Sequence, residues 1–134
     1  MEKTFVMIKP DGIRRGLAGK IIQRYEQKGL KIIAARLMAV SDELAQMHYA
    51  EHTSRPFFPE LIAYITSGPV MAMVLEGPNA IKLARLINGA TRVEEALPGT
   101  IRGDFATSTT ENLVHASDKP ESARREIALW LSHL

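Results

Sequence analysis

Val70-Met71-Ala72-Met73-Val74-Leu75 is an unbroken apolar run, entered through Ser67-Gly68-Pro69 and left at Gly77-Pro78. A run this short and this apolar between turn residues reads as a central strand, and the rest of the chain arranges itself around it. Upstream, Thr4 to Ile8 reads as a strand stopped by Pro10, and Leu17, Ile21, Ile22 and Tyr25 then recur at helical spacing until Gly29. Leu30 to Val40 reads as a second strand. Ser41 can cap a helix carrying Leu44, Met47 and His48, and after Pro56 and Pro59 a short helix holds Leu61, Ile62 and Ile65. Downstream, Gly77-Pro78 starts a helix with Ile81, Leu83, Ala84 and Ile87, ending near Asn88-Gly89. Thr91 to Thr110 reads as a long irregular loop, a feature that in a small protein usually serves function. Asn112 to His115 reads as a last strand. Asp118 and Glu121 make a capping pair for a final helix whose stripe is Ala123, Ile127, Trp130, Leu131 and Leu134.

The order βαβ, helical insert, βαβα predicts an α+β protein with a ferredoxin-like four-stranded antiparallel sheet covered by helices. Periodicity alone leaves a small doubly wound fold open, because strand pairing is not written in it. The 134 residues fit one compact domain, 1–134, with no internal repeat. Apolar residues are 46% and charged residues 24%, an ordinary globular composition that argues against disorder. Net charge is 17 − 15 = +2, too small to advertise a nucleic-acid or membrane surface. No cysteine is present, which excludes disulfides and thiolate metal sites. Met1-Glu2-Lys3-Thr4 lacks the basic start of a secretory signal, and no run approaches the ~20 apolar residues of a membrane span. A soluble, cytoplasmic protein is expected.

Gly16-Leu17-Ala18-Gly19-Lys20 imitates a phosphate-binding P-loop only superficially. The pattern requires glycine where the chain has Arg14, and Ser or Thr where it has Ile21, so Lys20 reads as an exposed helix residue. A more informative segment is Asn112-Leu113-Val114-His115-Ala116-Ser117-Asp118, in which a histidine ends an apolar strand at a turn. Such a histidine, taken alone, is more often structural than catalytic. Around it stand Thr100-Ile101-Arg102-Gly103-Asp104-Phe105, Met7-Ile8-Lys9-Pro10-Asp11-Gly12, His48-Tyr49 and Arg55-Pro56-Phe57-Phe58.

In order and spacing these motifs resemble the nucleoside diphosphate kinase family from about Thr4 to Trp130. The resemblance implies a phosphotransferase in which His115 is the phosphorylated nucleophile. It matches Lys9, Tyr49, Phe57, Arg85, Thr91, Arg102 and Asn112 to nucleotide-contacting positions. Ser117 and Glu126 match supports of the histidine, and His52, Leu61 and Thr109 match pocket-lining positions. It further implies nucleoside di- and triphosphates as partners, Mg2+ held mainly by their phosphates with no protein metal site, and a homo-oligomer, hexamer ahead of tetramer or dimer.

The chemistry fits these residue types. Exchange between two triphosphates of nearly equal free energy needs an intermediate that is itself a high-energy phosphate; phosphohistidine qualifies and phosphoserine would be a trap. A neutral imidazole needs no strong base, only a partner that fixes its tautomer, and Glu126 is the candidate. Arg85, Arg102 and Lys9 could stabilise the transferring phosphoryl group. The bland readings are a surface Arg85, an Arg102 paired with Asp104, a Lys9 that solubilises a strand end, an Asn112 that forms a turn, and a Glu126 on a solvated helix face. Phe57 can stack a base while Phe58 packs inside. His48 reads as a packed structural histidine and His133 as solvated. Arg92-Val93 stands where many members have Asn-Pro, Lys119 where serine is common, and the chain ends at Leu134 where most continue. Two other readings are a phosphohistidine carrier, which would not need Phe57 or the separated arginines, and an RNA-binding ferredoxin-like module, which would want a strand rich in aromatics.

Overall fold

The structure is a computed structural model that describes residues 1–131, Leu131 by its backbone only. Leu134 of the expected stripe and His133 lie outside the described residues. The strands are β1 (Glu2–Ile8), β2 (Lys31–Met38), β3 (Val70–Gly77) and β4 (Val114–Ala116). They form one antiparallel sheet of order β2-β3-β1-β4, the ferredoxin-like arrangement. Val70 to Leu75 does lie on an inner strand, paired on both sides.

Alternation along β1 explains why helices cover both faces of the sheet. Val6 and Ile8 join Met73, Leu75 and Val114 in a core closed by Ile21 and Tyr25 of α2 (Ala18–Gln27) and by Ala80 and Ala84 of α5 (Ala80–Asn88). Phe5 and Met7 point the other way, into a core with three further helices. These supply Leu44 of α3 (Asp42–His48), Ile65 of α4 (Phe58–Ile65) and Trp130 of α7 (Pro120–Leu131). Met7 pairs with His115, so the histidine faces the α3 and α7 side.

Four local features differ from the sequence reading. Pro10 ends the strand but also opens a short helix, α1 (Pro10–Arg14), since proline suits a first helical turn. The stretch from Thr91 to Thr110 is not irregular throughout, because α6 (Ile101–Phe105) lies in it with the Thr100 hydroxyl accepting from the Gly103 amide. Only glycine fits at 103, where a Cβ would stand 1.9 Å from the Leu97 carbonyl oxygen. The last strand begins two residues late, at Val114, because Leu113 takes a left-handed φ of 75°. Asp118 lies outside α7 rather than capping it with Glu121, and its carboxylate instead accepts from Ser122.

Candidate active site

The left-handed turn at Leu113 organises the floor of the site. A leucine pays roughly 1–2 kcal/mol to sit there, so its surroundings must hold it. The Leu113 amide donates to Asp11 Oδ2 (3.1 Å), and its carbonyl accepts from the Lys9 amide (2.8 Å). Asp11 Oδ1 also accepts from the Tyr64 hydroxyl, so one buried carboxylate ties α1 and α4 to the turn. The sequence reading gave Asp11 no role; its signal was an acid inside the Met7 to Gly12 motif.

Lys9, Asn112 and Arg102 meet on one side of this turn, all three buried. Lys9 Nζ donates to Asn112 Oδ1 at 3.0 Å. Burial first, and the Arg102 charge second, push the Lys9 pKa down to about 8, while Asp11 opposes the shift. Arg102 does not pair with Asp104, which binds Arg24 instead at 2.7 Å. Its guanidinium donates to the carbonyls of Asn112 (3.2 Å), Gly89 (2.8 Å) and Val114 (2.6 Å). Burial holds its pKa down to about 10, so it remains a cation at neutral pH.

On the other side, His115 Nε2 and Glu126 Oε1 are 2.8 Å apart, and the Ser117 hydroxyl donates to the same carboxylate oxygen at 2.7 Å. Glu126 is only 5% exposed, buried rather than on a solvated helix face. Burial alone would raise its pKa, but hydrogen bonds from His115 and Ser117 and the nearby imidazoles hold it below the usual range. An ionised carboxylate only accepts, so the proton lies on His115 Nε2 and the lone pair on Nδ1. His48, packed as expected, accepts at Nδ1 from the Trp130 indole at 3.1 Å.

His115 opens onto a polar cleft of about 150 Å³, lined among others by His48, Tyr49, His52, Arg85, Asp118 and Glu126. The buried Tyr49 hydroxyl and His52 Nδ1 have no partner among the described residues, and burial pushes the Tyr49 pKa up to about 12. A larger hollow of about 710 Å³, mostly apolar, adjoins it at Arg85 and Asp118 and takes in Thr91. Its lining carries no histidine, so the smaller cleft, with His115 in its wall, is the candidate chemical centre. Arg85 is exposed on α5 and donates to the Ala116 carbonyl at 2.9 Å. Phe57 is exposed, with its ring 5.6 Å from that of His52. Of the expected site residues the cleft wall itself takes in Tyr49, His52, Arg85, His115 and Glu126; Lys9, Arg102 and Asn112 sit at the Leu113 turn and Ser117 on Glu126, whereas Leu61 packs against the apolar core and Thr109 accepts from the Val93 amide at 3.2 Å.

A sequence model of the family described as nucleoside diphosphate kinase matches residues 2–134. A nucleoside diphosphate kinase of Caldanaerobacter subterraneus is 63% identical over 134 residues, all of this chain and 96% of the relative. One from Thermus thermophilus is 61% identical over 130 residues, 97% of this chain and 95% of the relative. The crystal structure of the Encephalitozoon cuniculi enzyme superposes with a TM-score of 0.96 at 45% identity, covering 98% of this chain and 89% of that one. A halophilic nucleoside diphosphate kinase from Halobacterium salinarum, solved in complex with CDP, gives 0.94 at 51% identity over 96% of this chain and 86% of that one.

An α+β sandwich with such relatives is a phosphotransferase. More narrowly, the chain belongs to the nucleoside diphosphate kinase family, and this membership favours an exchange enzyme over the phosphocarrier and RNA-binding readings.

Proposed function

We propose that the chain, acting as one domain, moves the γ-phosphate of a nucleoside triphosphate to a nucleoside diphosphate by a ping-pong route through phosphorylated His115. The observation that carries this is the His115–Glu126–Ser117 chain, which leaves an imidazole lone pair facing an open polar cleft. In the first half-reaction the Nδ1 lone pair attacks the γ-phosphorus. The N–P bond forms, the bond to the β-phosphate oxygen breaks, and the diphosphate leaves with the electron pair. The positive charge arising on the ring is compensated by Glu126 across Nε2–H. A β-phosphate oxygen of the second diphosphate then attacks phosphorus and the N–P bond breaks, restoring neutral His115.

Lys9, Arg85 and Arg102 would face the phosphates, with Tyr49 and His52 offering their unpartnered polar atoms. Asn112 would reach the sugar, Thr91 a phosphate, and Phe57 the base. The cleft's buried carboxylate is committed to His115 and Ser117, so its donor chemistry suits Mg2+ carried by phosphate oxygens, with exposed Asp118 at the wall. Mg2+ would neutralise phosphate charge there.

Labelling decides the proposal. γ-Labelled ATP should leave an acid-labile label on the parent and none on His115→Ala, which should lose exchange between ATP and dTDP while still folding. Equal labelling of the two proteins would reject the nucleophile.

No helix among the described residues is long and apolar enough to cross a membrane. We propose a cytoplasmic location. We also propose a homo-oligomer, a hexamer first. Ile33, Leu37, Leu86 and Leu97 are exposed on the isolated chain, which favours partner surfaces. Light scattering that returned a monomer would end that proposal.

A further inference from the structure

One hydrogen bond fixes a point on an imidazole and leaves the plane of the ring free to tilt. Glu126 holds Nε2 of His115, yet attack on phosphorus requires the Nδ1 lone pair to be aimed as well as free. The groups that limit tilt are Phe5, with ring centres 6.0 Å apart at 51°, and His48, closer at 4.7 Å and nearly perpendicular at 78°. His48 is itself fixed. Trp130 Nε1–H donates to its Nδ1 at 3.1 Å, and the fully buried indole is stacked on Phe5 at 5.2 Å. Because His48 Nδ1 accepts, its proton lies on Nε2.

We propose that His48, anchored by Trp130, is a positioning residue that sets the ring plane of His115 for attack on phosphorus. Glu126 and Trp130 stand at i and i+4 of α7, so a single helix face fixes both imidazoles, each by a ring nitrogen. The inference rests on His115 being the phosphorylated nucleophile. His48 also stays uncharged. Desolvation and repulsion from His115, Lys9 and Arg125 outweigh the pull of Glu126 and hold its pKa well below the usual histidine value. It therefore does not oppose the positive charge that develops on its neighbour. A metal reading of the same cluster fails on donors. His48, His115 and Glu126 bring ligand atoms within 4.8 Å, but the His48 Nδ1 lone pair is engaged by Trp130, and Glu126 Oε1 by His115 and Ser117.

A double-mutant cycle tests the proposal with ATP as the phosphoryl donor, read as single-turnover formation of acid-labile label. His48→Ala should slow phosphorylation by about 10- to 100-fold at saturating ATP, with the half-saturating concentration unchanged within about twofold. Trp130→Phe keeps the stack and deletes the donor, and should cost about 3- to 10-fold. If Trp130 acts through His48, the double variant should be no more than about twofold slower than His48→Ala. His48→Leu, which fills the space, replaces His48→Ala in the cycle should the latter fold poorly. Parent rates in the single variants, a loss carried by half-saturation alone, or a double variant showing the product of both losses would each overturn the proposal. A parent protein that takes no label would instead remove the nucleophile assignment beneath it.

Discussion

The floor of the site and its rim are built on opposite terms. On the floor, from Lys9 through the Leu113 turn to His115 and Glu126, nearly every polar group is buried and already bonded to protein. At the rim, Phe57 and Thr91 are exposed, and in the cleft the Tyr49 hydroxyl and His52 Nδ1 have no partner among the described residues. A floor that folding completes can hold reacting atoms in place before substrate arrives, so it governs the chemical step. Groups waiting for partners gain only when a nucleotide binds. Substitutions in the two regions should therefore separate into losses of rate and losses of binding.

The harshest test of that division, after removal of the nucleophile itself, is Lys9. Lys9→Met keeps the stem and deletes a buried cation, and should lower the phosphorylation rate constant by roughly 100- to 1,000-fold, about 3–4 kcal/mol. Its pKa of about 8 also fixes a sign. Between about pH 8 and the ordinary lysine value, the unfolded chain binds more protons than the folded one, so stability should rise with pH across that window. Below it, folding pays to bury the charge. Activity should run the other way and fall above about pH 8, where the cation is lost. Stopped-flow rates and melting temperatures taken from pH 6.5 to 10 would show both. A basic limb that persists unchanged in Lys9→Arg would remove Lys9 from the phosphate side of the floor.

A smaller loss is expected opposite it. Glu126→Ala should slow phosphorylation of His115 by roughly 10- to 100-fold, about 1.4–2.7 kcal/mol, because the imidazole can then adopt either tautomer. The melting temperature should stay within a few degrees. Deleting the carboxylate leaves the Ser117 hydroxyl only its longer bond to the Phe5 carbonyl (3.4 Å), but it also removes the cost of keeping a charge buried. An unchanged rate constant would mean that tautomer selection comes from elsewhere on the floor.

The division also explains what could be read from the chain. Strands and long helices carry periodic apolar patterns, so β1, β3, α2, α5 and α7 were legible, while Glu126 was found through the family resemblance. Two five-residue helices were not, because α1 and α6 are too short to show a period and Pro10, Gly12 and Gly103 read as breakers. Beyond the local Thr100 cap, what holds α6 is tertiary: the Arg102 guanidinium bound to carbonyls of Gly89, Asn112 and Val114. No local signal announces a left-handed leucine either, since Leu113 depends on Asp11 and Lys9, about a hundred residues away in sequence. Family motifs supplied the candidate side chains, but not the geometry that binds Arg102 to backbone or buries Glu126.

The smallest expected effect on the rate constant belongs to the rim, and it sharpens the comparison most because two properties must stay still while one moves. Phe57 stands at the N-terminal boundary of α4, 43% exposed, with its ring tilted 54° to that of His52. An exposed aromatic contributes little to folding, so Phe57→Ala should melt within a degree or two of the parent. Stacking on a base is worth about 1–3 kcal/mol and is blind to base identity, because every base offers a π-face. The variant should therefore bind nucleotides about 5- to 150-fold more weakly while its saturated phosphorylation rate stays within about threefold, the pattern of lost uniform binding. The same physics requires the parent to treat the four common nucleoside diphosphates alike, within roughly 30-fold in kcat/KM. Steady-state kinetics across those diphosphates reads both effects in one experiment. A saturated rate that fell along with binding would show the rim coupled to the floor, and a preference of several thousand-fold for one base would mean that something other than a ring face reads the base edge.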